Sequence, residues 1–136
     1  MGKRILVISD DQKFCEAIKA NLEKETCQVQ VEMKLDQVLA NAHIFKPEAV
    51  IVDISQSNFN SAEVAYKIRN DQKLYKAALI FLSLFAKKDD TELYVGLVDG
   101  RPFIAKPIHP KVNKAKEVLK WIEEAPANPL PAPPAE

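Results

Sequence analysis

The chain has 136 residues and 28% charged side chains, with Lys+Arg and Asp+Glu both 19, so its formal net charge is zero. That balance argues against the basic stripe of a nucleic-acid binder. The longest apolar stretch, Ala77–Ala86, is far short of the ~20 residues of a membrane helix.

About 124 residues suit one domain with its own core. The last twelve, 125–136, hold five of the nine prolines and read as a polyproline-like tail or linker. The expected division is therefore a domain over 1–124 and a tail over 125–136. Cys15 and Cys27 lack any metal-ligand spacing and are expected to be free thiols. No leader pattern precedes the first apolar run, so a cytoplasmic protein without direct membrane or nucleic-acid contact is expected.

Taken in order, the chain alternates between two periods. Arg4–Ser9 is a continuous Ile/Leu/Val run, as in a strand covered on both faces. Phe14, Ile18 and Leu22 then recur at helical spacing over Gln12–Lys24. Cys27–Met33 alternates, which predicts an edge strand. Leu35, Val38, Leu39 and Ala42 predict a second helix that Pro47 stops. Ala49–Ile54 is a second buried strand. Asn60 and Glu63 form a capping pair for a third helix reaching about Asn70.

Ala78–Ser83 is a third core strand. Asp89 or Asp90 predicts the cap of a fourth helix through Leu97, closed by Gly100. Phe103–Ala105 reads as the final strand. Pro110 opens a last helix lined by Val112, Ala115, Leu119 and Ile122. Strands alternating with helices require a parallel sheet with right-handed crossovers. The expected fold is α/β and flavodoxin-like: a doubly wound (βα)5 sandwich with five parallel strands ordered 2-1-3-4-5. The switch point then lies between strands 1 and 3.

Four strands close on polar residues: Asp10 and Asp11 after the first, Asp53 after the third, Ser83 after the fourth, Lys106 after the last. Three carboxylates brought together repel by about 4 kcal/mol per pair at 4 Å and an effective dielectric near 20. A cation must relieve them, and an oxygen-only set suits Mg²⁺. Lys106 would add a fixed positive charge and Ser83 a donor to a phosphoryl oxygen. An aspartate so surrounded is equipped to take a phosphoryl group as an acyl phosphate. Taken singly, Asp10-Asp11 reads as a helix cap, Ser83 as a turn hydroxyl and Lys106 as a solvated lysine. Their conjunction at matching strand ends carries the inference.

With these residues in place the chain resembles the receiver domain of two-component response regulators over about residues 3–124. The acidic pair, Asp53, Ser83 and Lys106-Pro107 match the family's five-residue signature. The resemblance implies Asp53 as phosphoacceptor. It implies Mg²⁺ on Asp11 and Asp53, on Asp10 partly through water, and on the backbone carbonyl of Ser55. It also implies Phe103 as the switch aromatic and a cis bond between Lys106 and Pro107. Partners implied are a histidine kinase or phosphotransfer protein as donor and an output protein or domain; a homodimer is left open. The implied role is regulatory rather than enzymatic, at most self-catalysed phosphorylation and dephosphorylation.

Three departures stand out. The segment Ser55–Asn60 lacks the family's usual Pro and Gly, Leu84 replaces a small residue after Ser83, and Pro102 adjoins Phe103. Leu84 and the atypical loop favour an alternative, which the intact signature opposes: a pseudo-receiver, the same fold serving as a phosphorylation-independent interaction module. An aspartate-nucleophile phosphatase is disfavoured because Ser55 stands where a second catalytic carboxylate is needed. A nucleotide fold is disfavoured because no Gly-rich loop follows strand 1.

Overall fold

Five short segments pair side by side in the computed structural model, which describes residues 2–54, 61–87, 89–90, 92–98 and 100–125. Strand β1 (Arg4–Ile8) lies between β2 (Gln28–Glu32) and β3 (Ala49–Asp53). Beyond β3 come β4 (Ala78–Ser83) and, at the edge, the three-residue β7 (Ile108–Pro110). The pairings are parallel, with Ile5 opposite both Val29 and Ala49, and Val50 opposite Leu79. This is the expected five-stranded parallel sheet with its switch point between β1 and β3.

Strand alternation divides the core in two. Leu6, Ile8, Val50, Val52 and Phe81 face α2 (Val38–Phe45) and α3 (Ser61–Arg69). Ile5, Val7, Ala49, Ile51, Ile80 and Leu82 face α1 (Gln12–Lys24) and α4 (Ala115–Glu124). Phe14, Ile18 and Leu22 form the buried stripe of α1, as their spacing predicts. A 3-10 turn, Leu35–Gln37, precedes α2, which ends before Pro47 with Lys46 at φ +57°. Asn60 of the predicted capping pair lies outside the described residues, as does the tail beyond residue 125. Cys15 and Cys27 are buried free thiols.

The last third departs from expectation. Among the described residues between 89 and 97 no helix forms; Leu93–Val98 is instead strand β5, paired antiparallel with β6 (Arg101–Ala105). Gly100, expected to close a helix, has φ +75° and sits beside the paired Val98 and Arg101. Asp-Gly is a strong hairpin-turn dipeptide, and the flanking Tyr, Val, Phe and Ile residues are strand formers. Gly96, costly inside a helix, falls at the register shift of the hairpin.

The hairpin buries Val98, Phe103 and Ala105 against the α3 side of the core. Phe103–Ala105, expected as the fifth strand, therefore belongs to this hairpin, and Ile108–Pro110 supplies the fifth strand instead. Pro110 ends that strand rather than opening the last helix, which starts at Ala115. A proline is tolerated at a sheet edge. The Lys106–Pro107 bond is cis, as the resemblance implies.

Candidate functional site

Among the described residues the polar or charged ones buried as whole residues are Ser9, Glu32, Asp53 and Ser83. All four end or directly follow parallel strands at the C-terminal edge of the sheet, Glu32 on the outer strand β2 and the other three on its central strands. Burial of a polar group is costly unless it is paired, so their partners define the site.

Asp53 ends β3 with no solvent exposure. It continues the alternation of Ala49 and Ile51, so it faces the α1 side. Its Oδ2 accepts a hydrogen bond from Ser9 Oγ at 2.6 Å and an ion pair from Lys111 Nζ at 2.9 Å. Ser9, just past β1, is wholly buried, and its hydroxyl also accepts the Asp11 backbone N–H at 3.1 Å. Its carbonyl lies 3.6 Å from the Cys15 thiol. Burial raises that thiol to about 11, so it stays protonated and unreactive.

Asp11 is the N-cap of α1. Its Oδ1 accepts the Phe14 N–H at 3.1 Å, and its Oδ2 accepts from Lys111 Nζ at 2.9 Å. The Lys111 hydrogen bond, aided by the Phe14 amide, lowers the Asp11 pKa. Asp10 precedes it, and its Oδ1 is buried without a hydrogen-bond partner.

Lys111 ties the site together. Its side chain is only 4% exposed and bridges Asp11 and Asp53, with Nζ 4.9 Å from the centre of the Phe14 ring. Burial alone would lower its pKa, but the hydrogen bonds to Asp11 and Asp53 outweigh that and raise it. The strand places it there. Ile108 packs on the α3 side and His109 stacks on Trp121 of α4, so two-residue alternation turns Lys111 to the side of Asp53. Its backbone N–H donates to the Ser83 carbonyl at 3.0 Å, extending the β4–β7 ladder to the site.

Ser83 ends β4 and is 1% exposed; its hydroxyl accepts the Phe85 N–H at 3.0 Å, leaving its own proton available to a ligand oxygen. Leu84 and Phe85, 66% and 75% exposed, stand directly beside it.

The C-terminal edge of the sheet thus carries Asp10, Asp11, Asp53 and Ser83, and Lys111 links two of them, Asp11 and Asp53. It does not bring in Lys106, which is exposed. That expectation is corrected: the ammonium at the site belongs to Lys111, because the fifth strand runs five residues later in the chain. Ser55 lies outside the described residues. Phe103 is buried on β6, edge-on to Phe81 with ring centres 5.9 Å apart and with the Arg69 guanidinium 5.2 Å from its centroid. Ser9 was overlooked as a site member; a polar residue closing a buried strand was the available signal. Elsewhere, His43 pairs with Asp71 at 2.8 Å, and Trp121 is half-buried with the His109 ring stacked on it.

Two carboxylates share one ammonium, which leaves the Asp11–Lys111–Asp53 bridge formally one charge negative, with Asp10 next to it in the chain. An anionic phosphoryl group would meet repulsion there without a divalent cation. The donor set is oxygen-only, and the orphaned Asp10 Oδ1 is a ready ligand, so the residues fit a hard ion such as Mg²⁺. Among the described residues no three His, Cys, Asp or Glu side chains converge closely enough to hold one in this conformation. The Lys111 ammonium lies between two of the acids instead.

Comparison with known proteins identifies the family of the chain. The sequence profile of the response regulator receiver domain matches residues 5–123. The chain is 27% identical over 128 residues to the alkaline phosphatase synthesis transcriptional regulatory protein PhoP of Bacillus subtilis, covering 92% of this chain and 52% of that protein. It is 28% identical over 133 residues to the DNA-binding response regulator MtrA of Mycolicibacterium smegmatis, covering 96% and 56%. The chain therefore spans about half the length of these curated relatives.

Among solved structures, the Francisella response regulator 1452 receiver domain superimposes with a TM-score of 0.64 at 16% identity, over 90% of this chain and 95% of that one, a likeness of fold alone. The response regulator TrrA of Thermotoga maritima, solved in complex with Mg²⁺ and BeF, gives 0.54 at 28% identity over 62% of this chain and 71% of its own. No helix among the described residues is long and apolar enough to cross a membrane.

Proposed function

Since the chain belongs to the response regulator receiver domain family, we propose that it accepts a phosphoryl group on Asp53 and thereby switches a protein-interaction surface. The observation that carries this reading is the buried Asp53 carboxylate at the sheet's switch point, held by the Ser9 hydroxyl and the Lys111 ammonium. A strand end fixes its backbone, so one oxygen can be aimed at an incoming phosphorus with little loss of freedom.

The donor is a phosphohistidine of a histidine kinase or phosphotransfer protein. The Asp53 oxygen forms the new P–O bond, the P–N bond breaks, and the imidazole leaves with the electron pair and takes a proton. The Ser83 hydroxyl donates to a phosphoryl oxygen. Asp10, Asp11 and Asp53, with the Ser55 carbonyl, would hold Mg²⁺, which supplies neutralising charge to the transferring group. Asp10 and Asp11 open a helix and serve as ligands rather than nucleophiles. The output surface is the face carrying the β5–β6 hairpin and Phe103, and its partner is a separate output protein or a domain of a longer chain. The protein acts in the cytoplasm, where kinase and output meet.

A second reading has its own support. Asp53 has no solvent exposure and Lys111 already pairs with it, a closed arrangement suited to a pseudo-receiver that acts only as an interaction module. Incubation with acetyl phosphate and Mg²⁺, followed by intact mass measurement, separates the two. The acceptor reading expects one added phosphoryl group, lost in Asp53→Asn. No labelling of the wild type by any donor establishes the pseudo-receiver, and labelling that survives Asp53→Asn overturns the choice of acceptor.

A further inference from the structure

The lysine that the signature selects and the lysine that the fold installs are different residues. Lys106 precedes a proline in the family pattern, yet it is exposed. Lys111 lies five residues on, buried to 4% exposure, 2.9 Å from both Asp11 and Asp53 and anchored through its backbone N–H to the Ser83 carbonyl.

We propose that Lys111 is the working cation of the site, and that its ammonium and a divalent metal compete for the same two carboxylates. The proposal rests on the phosphoacceptor reading for its catalytic half. Its binding half stands without it.

The competition follows from geometry. Asp11 and Asp53 would each offer an oxygen to a bound divalent ion, and the Nζ of Lys111 already bridges an oxygen of each. Two cations cannot occupy one such position, because like charges at that distance repel by as much as the acids attract. The third ligand is not contested: Asp10 Oδ1 is buried and without a partner in the Lys111-bridged arrangement. The resting state is therefore a lysine-closed site in which Asp53, with no solvent exposure, is shielded. Metal entry lifts the ammonium off the acids. The displaced Nζ stays tethered beside Ser83, where an oxygen of the arriving phosphoryl group becomes its next partner. A lysine is suited to this exchange, since its flexible stem carries a compact charge that can change partners without rebuilding a bidentate fork.

The test uses the full chain in four forms: wild type, Lys111→Met, Lys111→Arg and Lys106→Met. Mg²⁺ affinity is read by calorimetric titration and, in parallel, phosphoryl labelling by acetyl phosphate is read by intact mass. Lys111→Met is expected to bind Mg²⁺ at least about tenfold more tightly, because nothing then opposes the ion on Asp11 and Asp53. The same variant is expected to label about a hundredfold more slowly, as when one preorganised stabiliser of transition-state charge is lost. Lys111→Arg, which keeps the charge and guards against misfolding of the methionine variant, should bind Mg²⁺ within a few-fold of wild type. Lys106→Met should match the wild type in both readouts.

Unchanged Mg²⁺ affinity in folded Lys111→Met overturns the competition. Loss of labelling in Lys106→Met but not in Lys111→Met overturns the choice of lysine while leaving Asp53 as acceptor. Tighter Mg²⁺ binding by Lys111→Met in a protein that never labels upholds the competition and refutes the acceptor reading instead.

Discussion

Ser9→Ala removes one oxygen and tests how the site is built. That oxygen donates to Asp53 at 2.6 Å and accepts the Asp11 N–H at 3.1 Å, with no solvent to replace either contact. A hydrogen bond to a charged group contributes about 1.5–3 kcal/mol and a neutral one about 1 kcal/mol, so the expected loss is about 2–4 kcal/mol. Unfolding a domain of about 125 residues releases about 0.26 kcal/mol/K of entropy, which converts the loss to a Tm lowered by about 8–15 °C. Scanning calorimetry at neutral pH, with urea midpoints as a second measure, reads the shift. Ser83→Ala is the comparison: its hydroxyl accepts one amide at 3.0 Å, which predicts a drop of only about 4 °C. A double-mutant cycle with Asp53→Asn locates the cause, since a Ser9 contribution that runs through the carboxylate must shrink when that charge is gone. A Ser9→Ala protein melting within about 2 °C of wild type would refute the reasoning, as would costs that simply add in the cycle.

Three further outcomes are expected. Gly100→Ala should lower Tm by about 4–8 °C in thermal scans. A Cβ there meets nothing within 4 Å, so the cost is purely that of holding φ +75° with a side chain, about 1–2 kcal/mol. Leu84→Ala should speed acetyl phosphate labelling by opening the mouth beside Ser83 while leaving Tm within about 2 °C, because the side chain is 66% exposed. His109, stacked on Trp121 with ring centres 4.3 Å apart, has its pKa lowered by burial, with Glu124 partly opposing. Protonation then favours the unfolded chain, so stability is full above the unfolded value of 6.5 and declines as pH falls through it. His109→Phe should keep the stack and flatten urea midpoints measured between about pH 5 and 7.

Much of the fold was legible because its signals are redundant. Ile5–Ile8, Ala49–Val52 and Ile80–Leu82 are apolar at every position, which only a strand covered on both faces requires. Phe14, Ile18 and Leu22 mark one helix face without ambiguity. The failures cluster in the stretch from residue 89 to 114, where signals conflict. Asp89, Asp90 and Gly100 can bound a helix, yet Asp-Gly between Val98 and Arg101 is equally a hairpin turn. Local periodicity could not decide between them. The tertiary gain did, since the hairpin buries Val98, Phe103 and Ala105 on the α3 face.

That one choice explains what was missed at the site. Once Phe103–Ala105 is spent on the hairpin, the sheet needs another fifth strand, and Ile-His-Pro is the next segment able to lie beside β4. Three residues containing a proline carry almost no strand signal, so neither β7 nor the lysine behind it could be read from pattern. The carboxylates were legible for the opposite reason: Asp10, Asp11 and Asp53 follow the best-marked strands of the chain. A site assembled at a sheet edge inherits the certainty of each strand that delivers a residue to it. Here β1, β3 and β4 deliver the acids and Ser83 as expected. The positive charge that bridges two of them arrives just past the weakest strand, five residues from where the family pattern points, and is fixed by alternation past His109 rather than by any motif.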